Sequence, residues 1–445
     1  MKRSFTIITI FLSVSCVSNG DINIYDEDKN NTPFITKEEA INTLNEFLSE
    51  TESDFVPTKS GEKRRILSVN SYFSREAVTK SADTIINNSS NPVAYVVNFA
   101  DNEGFAVLGA NNSVAPIVVV TEKGSIDASN LCVIPGQGPI IKIDNEDDGI
   151  NWDEFDWYCE EDDDYYTMGM DKILTDFIRG AVDCPNPIPW PNMPVPKDIP
   201  PMLSIKWDQG EWKEESVYNK YCLKSKGTQW EKNALAGCST TALSMILAYN
   251  EYPQKLEIND TIINWGKIKE HNKATMLADS YKEHVSLLFG SIFNNVFHIA
   301  TSIGTLITPR QIQLLMEELG YRNLAKHNAS DFTSEMFNKT HDMLSNGKPL
   351  FLSAMGSIIE KAAHSWIIDG LKYDAEKNPL LHFNLGWGGT CNGYYSLTCF
   401  NPSKAESYDT GCKPDSSYTH NGYDKRFRLI TYDVPSDTLG KSLNF

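Results

Sequence analysis

The stretch Ala236-Gly237-Cys238-Ser239-Thr240-Thr241-Ala242-Leu243-Ser244-Met245-Ile246-Leu247-Ala248-Tyr249 decides how the chain is read. Ala242, Met245, Ile246 and Tyr249 recur at i, i+3, i+4 and i+7, the period of an α-helix with one apolar stripe. Tyr252-Pro253 closes the stretch, so a helix from about Cys238 to Tyr249 is expected. Cys238 then stands on its first turn. Unpaired N–H groups and the helix dipole at that end favour a thiolate. Gly237 in front of it lets the backbone turn sharply and lets a substrate carbonyl approach. A cysteine at a helix start is more often a buried structural residue than a nucleophile, so the position needs partners.

Partners lie at suitable places downstream and upstream. His364 follows Cys238 by 126 residues, just before an apolar β run, and Asn384 follows 20 residues later. One large class of cysteine nucleophiles has its His and Asn roughly 130–150 residues downstream, in that order. His364 would take the thiol proton and return it to a leaving amine, while a polar or aromatic neighbour holds its ring. Gln209, in Lys206-Trp207-Asp208-Gln209-Gly210, carries a side-chain amide able to donate to a developing oxyanion beside the Cys238 N–H. Taken alone, Gln209 reads as a turn residue next to Gly210.

Together these residues carry a resemblance. Ala236 to Ala242, the helix after it and Tyr249-Asn250-Glu251-Tyr252-Pro253 resemble the streptopain-like family of papain-clan cysteine peptidases. His364-Ser365-Trp366-Ile367-Ile368-Asp369-Gly370 and His382-Phe383-Asn384-Leu385-Gly386-Trp387-Gly388-Gly389 do so too, with Asn392 to Leu397 continuing the second motif. The region from residue 36 to Gly109 is similar to the family's prodomain. The resemblance implies a zymogen whose prodomain acts as an intramolecular inhibitor, and an endopeptidase favouring an apolar side chain two residues before the scissile bond. It implies Cys238 as nucleophile, His364 as general base and Gln209 as oxyanion-hole donor. Where the family often has Asn-Trp-Gly-Trp, this chain has Asn384-Leu385-Gly386-Trp387, so the group that seats His364 is open between Asn384 and Trp387.

Outward from this core, composition divides the chain. Residues 1–200 carry 15 basic and 33 acidic side chains, against 25 and 26 in residues 201–445. The net charge of -19 argues against a nucleic-acid partner held through phosphates. Lys2 and Arg3 precede a short apolar run, Phe5 to Val14, which reads as an export signal ending in Leu12-Ser13-Val14-Ser15-Cys16. That ending resembles a bacterial lipoprotein cleavage box with Cys16 as the lipidated residue; an ordinary cleaved signal is the alternative. Either way the protein is expected outside the cytoplasm, released or tethered by lipid at the cell surface or outer membrane.

A polar tether, Asp21 to Thr32, leads to Thr36-Lys37-Glu38-Glu39, which has the capping-box form of a helix start. A hairpin is expected over 93–108 with its turn at Asp101-Asn102-Glu103-Gly104, then a strand from Pro116 to Val120. An acidic segment from Asn145 to Asp164 reads as a surface insertion. Eight prolines between Pro185 and Pro201 read as an extended linker. Four strands are expected at 349–354, 366–368, 380–384 and 394–397, with turns at Asp369-Gly370 and Gly386-Trp387-Gly388-Gly389. Cys222, Cys391, Cys399 and Cys412 allow two disulfides in three connectivities.

The expected fold is α+β: a papain-like catalytic domain, with helical and antiparallel β subdomains, behind an α+β prodomain. The boundaries read 1–20 signal, 21–184 prodomain, 185–203 linker and 204–445 peptidase domain. Protein or peptide substrates are the expected partners of a monomer, and no cofactor or metal is required. Two alternatives stay open: an inactive papain-fold surface protein that binds another protein, and a papain-fold amidase or transglutaminase.

Overall fold

Thr36 opens the first helix by the reciprocal pairing its sequence promises. The Glu39 N–H donates to Thr36 Oγ1 (3.2 Å), and the Thr36 N–H donates to Glu39 Oε2 (2.8 Å). The helix α1 (Lys37–Thr51) then lays Ala40, Leu44, Phe47 and Leu48 on one buried face. The computed structural model describes residues 34–51, 64–73, 75–78, 85–88, 91–128, 132–134, 170–183, 196–210, 216–222, 233–301, 304–330, 332–355, 363–400, 425–436 and 440–444. All belong to one compact unit, Phe34–Phe445. The export signal with Cys16, the polar tether, the acidic segment, most of the proline-rich stretch, Cys159, Cys184 and Cys412 lie outside the described residues.

One large sheet organises the molecule. Its strands, numbered in chain order, are β1 (Ile66–Tyr72), β2 (Ala94–Phe99), β3 (Phe105–Gly109), β4 (Ile117–Thr121), β5 (Arg322–Ala329), β6 (Leu350–Met355), β7 (Ala363–Tyr373), β8 (Pro379–Asn384), β9 (Gly393–Ser396) and β10 (Lys425–Asp433). They lie in the order β1-β2-β3-β4-β9-β8-β7-β6-β10-β5, every described pairing antiparallel. The β2–β3 hairpin forms where its turn signals stand. Asp101 and Asn102 take left-handed φ values of 57° and 59°. Gly104 has φ 99°, and a Cβ there would lie 2.1 Å from the Thr121 carbonyl oxygen.

The sheet crosses the boundary that composition drew. β4 pairs with β9 through Thr121↔Gly393, Val120↔Tyr394 and Val119↔Tyr395, so the acidic N-terminal region and the C-terminal region share one hydrogen-bonded ladder. Side chains reinforce it: Phe47 of α1 meets Tyr394 edge-on at 5.6 Å. In α2 (Met170–Asp183), Phe177 packs against Phe383, Tyr395 and Phe400.

The other helices sit in the C-terminal region: α3 (Cys238–Asn250), the single turn α4 (Trp265–Ile268), α5 (Asp279–Asn295), α6 (Pro309–Leu319) and α7 (Ser334–Ser345). Expected and observed bounds of α3 agree to one residue, but its burial does not follow one stripe. Every residue from Ser239 to Ala248 is buried, because α3 packs against α5 and α6 as well as β6 and β7.

Two further expectations are corrected. Asp369-Gly370 is not a turn; it lies inside the eleven-residue strand β7, at a register shift against β8. The Asp369 carboxylate is buried there, accepting from the Leu203 N–H (3.0 Å), and a Cβ at Gly370 would lie 3.1 Å from the Ile199 carbonyl. The glycine thus serves a close approach of two backbones. Cys222, Cys391 and Cys399 are buried, and no disulfide joins any two of these three. Among the described residues, no helix is long and apolar enough to cross a membrane.

Candidate active site

Cys238 is the first residue of α3, placed by a glycine that no other residue replaces easily. Gly237 has φ 81°, and a Cβ on it would lie 2.6 Å from the Thr305 carbonyl oxygen. The Ala236 N–H donates to the Gln209 carbonyl (2.9 Å), tying the approach to α3 to the segment that carries Gln209. Cys238 is partly exposed. Burial of the sulfur raises its pKa, and hydrogen bonds from Ser365 and Ser239 act in the opposite direction.

β7 brings His364 to the same place. Ser365, the next residue on that strand, shares a cavity wall with Cys238 and lies 3.0 Å, Oγ to Oγ, from Ser239. Ser239 in turn donates to the Ile307 carbonyl (3.0 Å). These two serines join helix and strand at the thiol, and sequence reading singled out neither. The repeated neighbourhood Cys238-Ser239 and His364-Ser365 was the available signal.

The imidazole is fully buried between two indoles, Trp366 at 5.9 Å and Trp387 at 4.9 Å between ring centroids. His364 Nε2 lies 2.9 Å from the Leu385 carbonyl oxygen. A carbonyl only accepts, so Nε2 carries the proton and Nδ1 the lone pair. Burial pushes the His364 pKa down to about 3, against the upward pull of that carbonyl. At neutral pH the imidazole is therefore neutral, and with the thiol's pKa raised the pair is uncharged.

The group seating the ring is thus a backbone carbonyl and an indole. Asn384 does not touch the imidazole through its amide. Its Nδ2 donates to the Ile205 carbonyl (2.9 Å), and its Oδ1 accepts from the Gly386 N–H (3.2 Å). Asn392, which the sequence placed in the second motif without a role, accepts the Leu385 N–H (2.9 Å). The Leu385 peptide is therefore held at its nitrogen by Asn392 while its oxygen faces His364. Leucine in place of the family's tryptophan leaves that contact intact, because the side chain takes no part in it.

Gln209 is buried, and its Nε2 has no hydrogen-bond partner in the structure. A buried donor left open costs about 1–3 kcal/mol, which suits an atom that waits for an incoming oxygen. A cavity of about 350 Å³ opens beside the thiol, with Cys238, Ser239 and Ser365 in its wall.

Residues 212–395 match the sequence model of the peptidase C10 family, and residues 32–133 match that of the Spi protease inhibitor. Residues 212–395 therefore resemble the peptidase C10 family, behind a region that resembles the Spi protease inhibitor. Streptopain from Streptococcus pyogenes serotype M28 (strain MGAS6180) is 26% identical over 197 residues, covering 39% of this chain and 48% of the relative. Streptopain from Streptococcus pyogenes serotype M1 matches over the same shares at the same identity. The chain spans about half the length of the curated relatives it matches. Among solved structures, a prointerpain A fragment from Prevotella intermedia is 15% identical, covers 82% of this chain and all of its own, and gives a TM-score of 0.44. Active interpain A from the same organism is 20% identical over 52% of this chain and 94% of its own, with a TM-score of 0.39.

The region that matches the inhibitor sequence model reaches the site's supports through Glu122. Glu122, just past β4, is buried in the C-terminal region between Lys206 and His382. His382 Nδ1 lies 2.6 Å from Asp369 Oδ1, and its Nε2 lies 3.3 Å from Glu122 Oε1. Although burial opposes the charge, hydrogen bonding to His382 and the Lys206 ammonium hold the Glu122 pKa down to about 2. The two carboxylates overcome burial at His382 and raise it to about 9. The Glu122 N–H also donates to the carbonyl of Asn392 (2.7 Å), the residue that holds Leu385.

Proposed function

We propose that the chain is the zymogen of an exported cysteine endopeptidase. Cys238 acts as nucleophile, His364 as general base and Gln209 as oxyanion-hole donor, and the region through Asp183 acts as inhibitor. The observation that carries the reading is the junction of α3 and β7, where Ser239, next to Cys238, meets Ser365, next to His364, at 3.0 Å between hydroxyl oxygens. In the reaction, Cys238 Sγ attacks the scissile carbonyl carbon and its proton passes to His364 Nδ1. The carbonyl oxygen becomes an oxyanion, taken by Gln209 Nε2 and the Cys238 N–H. Collapse expels the amine with the proton from His364 and leaves a thioester, which water then hydrolyses. Leu385 and Trp387 position the ring; Asn384 and Asn392 hold the loop that presents them.

The uncharged state of both partners in the full-length chain supports latency. The reading also includes export through residues 1–20, with Cys16 as lipid attachment point. The test compares purified wild type with Cys238→Ala for self-processing, peptide hydrolysis and labelling by a thiol-directed epoxide. Wild type should process itself and label at Cys238, and the variant should do neither. A wild type that neither hydrolyses nor labels after its N-terminal region is removed would sink the reading.

Two further results are expected. Leu385→Ala keeps the carbonyl and should retain hydrolysis within about tenfold, whereas Asn392→Ala leaves the Leu385 N–H buried without its acceptor, costing about 1–3 kcal/mol, and should lower kcat more than it changes KM. Equal kcat values for the two variants would refute this. The processed protein should begin ahead of Ile199. Lys197 is exposed, but from Ile199 onward the backbone is clamped: Ile199 pairs with Leu371, Met202 donates to Asp369, and the Lys206 N–H donates to Asn272. N-terminal sequencing that begins after Lys206 would contradict it.

A further inference from the structure

Helix α2 lies in neither stretch that matches a family model; it stands between residues 32–133 and residues 212–395. Leu174, Phe177, Ile178 and Ala181 recur at i, i+3, i+4 and i+7 and are all buried, so α2 commits one apolar face to a partner. Much of that partner is the C-terminal region. Phe177 lies 6.4 Å from Phe383, 6.2 Å from Tyr395 and 5.4 Å from Phe400 between ring centroids. Phe383 in turn stacks on Tyr395 at 4.7 Å and meets Phe400 edge-on at 5.5 Å. Beyond these rings stands the histidine: Phe383 lies 5.5 Å from Trp366, which flanks His364.

The inhibitor-like strands are attached differently. β4 meets β9 over three residue pairs, and Glu122 adds a charged cluster. Backbone groups and charges released from such a contact are taken up by water. Aromatic rings are not. Without α2, Phe383, Tyr395 and Phe400 would lose a common cover, and soluble proteins rarely leave a large apolar patch open. α2 also touches β4 and the strand Cys132–Ile134, yet the rings named around Phe177 all come from the C-terminal region.

We propose that α2 is a lasting part of the peptidase: when the inhibitor is cut away, α2 stays on the face formed by Phe383, Tyr395 and Phe400. The inference rests on the zymogen reading and divides its inhibitory region into a part ahead of α2 that leaves and a helix that remains. The acidic stretch 145–164 precedes α2 and the proline-rich stretch 185–201 follows it. A cut in the first alone leaves α2 tethered, and cuts in both leave it as a bound peptide.

The test follows hydrogen exchange by mass spectrometry in the full-length Cys238→Ala protein at rising urea. Amides of β1 to β4 should lose protection first, while those of α2, β8 and β9 give way together at higher urea. Once the N-terminal strands have opened, protection in α2 should exceed theirs by about tenfold or more. Phe177→Ala should lower the urea midpoint of β8 and β9 by about 1 M or more, the effect of emptying a core aromatic site. The exchange series needs no further substitution, so a variant that fails to fold leaves the decision intact. In self-processed wild type, gel filtration and intact mass should find residues 170–183 together with the fragment that carries Cys238. Loss of protection in α2 along with β1 to β4 overturns the proposal. So does one common step for the whole chain, since the inhibitor is then no more separable than the helix. Processed enzyme recovered without residues 170–183 overturns it too. Late protection of α2 in a protein that neither hydrolyses nor labels upholds the helix and sinks the endopeptidase reading; hydrolysis by a form lacking α2 does the reverse.

Discussion

Replacing Glu122 with alanine is expected to lower the stability of the full-length protein by about 3–5 kcal/mol, the range for removing one partner of a buried ion pair. Glu122 sits between Lys206 and His382, so its loss leaves two buried cations facing each other with Asp369 as the remaining carboxylate of the cluster. The damage falls at the ladder that joins β4 to β9, and the N-terminal region should become the first part to open. Thermal unfolding and limited proteolysis of the Cys238→Ala background measure both effects without interference from self-cleavage. An unchanged melting curve and unchanged nicking would refute the role given to Glu122.

The same cluster sets a pH window. Glu122 has a depressed pKa, so its contribution is present above the ordinary value of 4.5 and is lost as pH falls through about 2. His382 has a raised pKa, so its contribution is complete below the ordinary value of 6.5 and is lost as pH rises through about 9. Docking of the N-terminal region should therefore be firmest between about pH 4.5 and pH 6.5. His382→Gln should flatten the alkaline limb, and proteolytic release followed against pH would reveal it.

Gly237→Ala is expected to remove thiol reactivity and to destabilise the C-terminal region by about 3 kcal/mol or more. The backbone strain of a left-handed residue is of order 1–3 kcal/mol, and a contact of 2.6 Å with the backbone oxygen of Thr305 must be relieved on top of it. Relief requires the start of α3 to shift away from the 305–307 segment, to which Ser239 is bonded. That shift carries Cys238 away from Ser365. Thiol labelling rates and denaturant midpoints report the two consequences separately. A variant that labels at the wild-type rate would show that the turn tolerates a side chain.

Much of this was legible from the chain. Helix α3 and its cysteine, the capped helix α1, the hairpin at 94–109 and three of the C-terminal strands announce themselves through local periodicity and turn residues. The strands β5 and β10 do not. Their polar alternation, as in Arg322-Asn323-Leu324-Ala325-Lys326-His327, lacks a continuous apolar run, since one face of this outer pair stays partly exposed. Asp369-Gly370 misleads for a related reason: a pair that usually makes a turn is here held in a strand by a buried carboxylate network and a close backbone neighbour.

The sequence by itself determined the chemistry that is available: a thiol on a helix tip, a histidine ahead of an apolar strand, a glutamine amide upstream, and an acidic half ahead of a neutral one. Local spacing encodes these because helix starts, caps and turns depend on residues within a few positions of one another. Only the tertiary structure decided what the histidine leans on, where the open amide of Gln209 lies buried, and how Glu122 reaches across to Lys206 and His382. Those are contacts between backbone carbonyls or buried side chains far apart in the chain. No local pattern records them, because a carbonyl such as that of Leu385 is the same group at every residue.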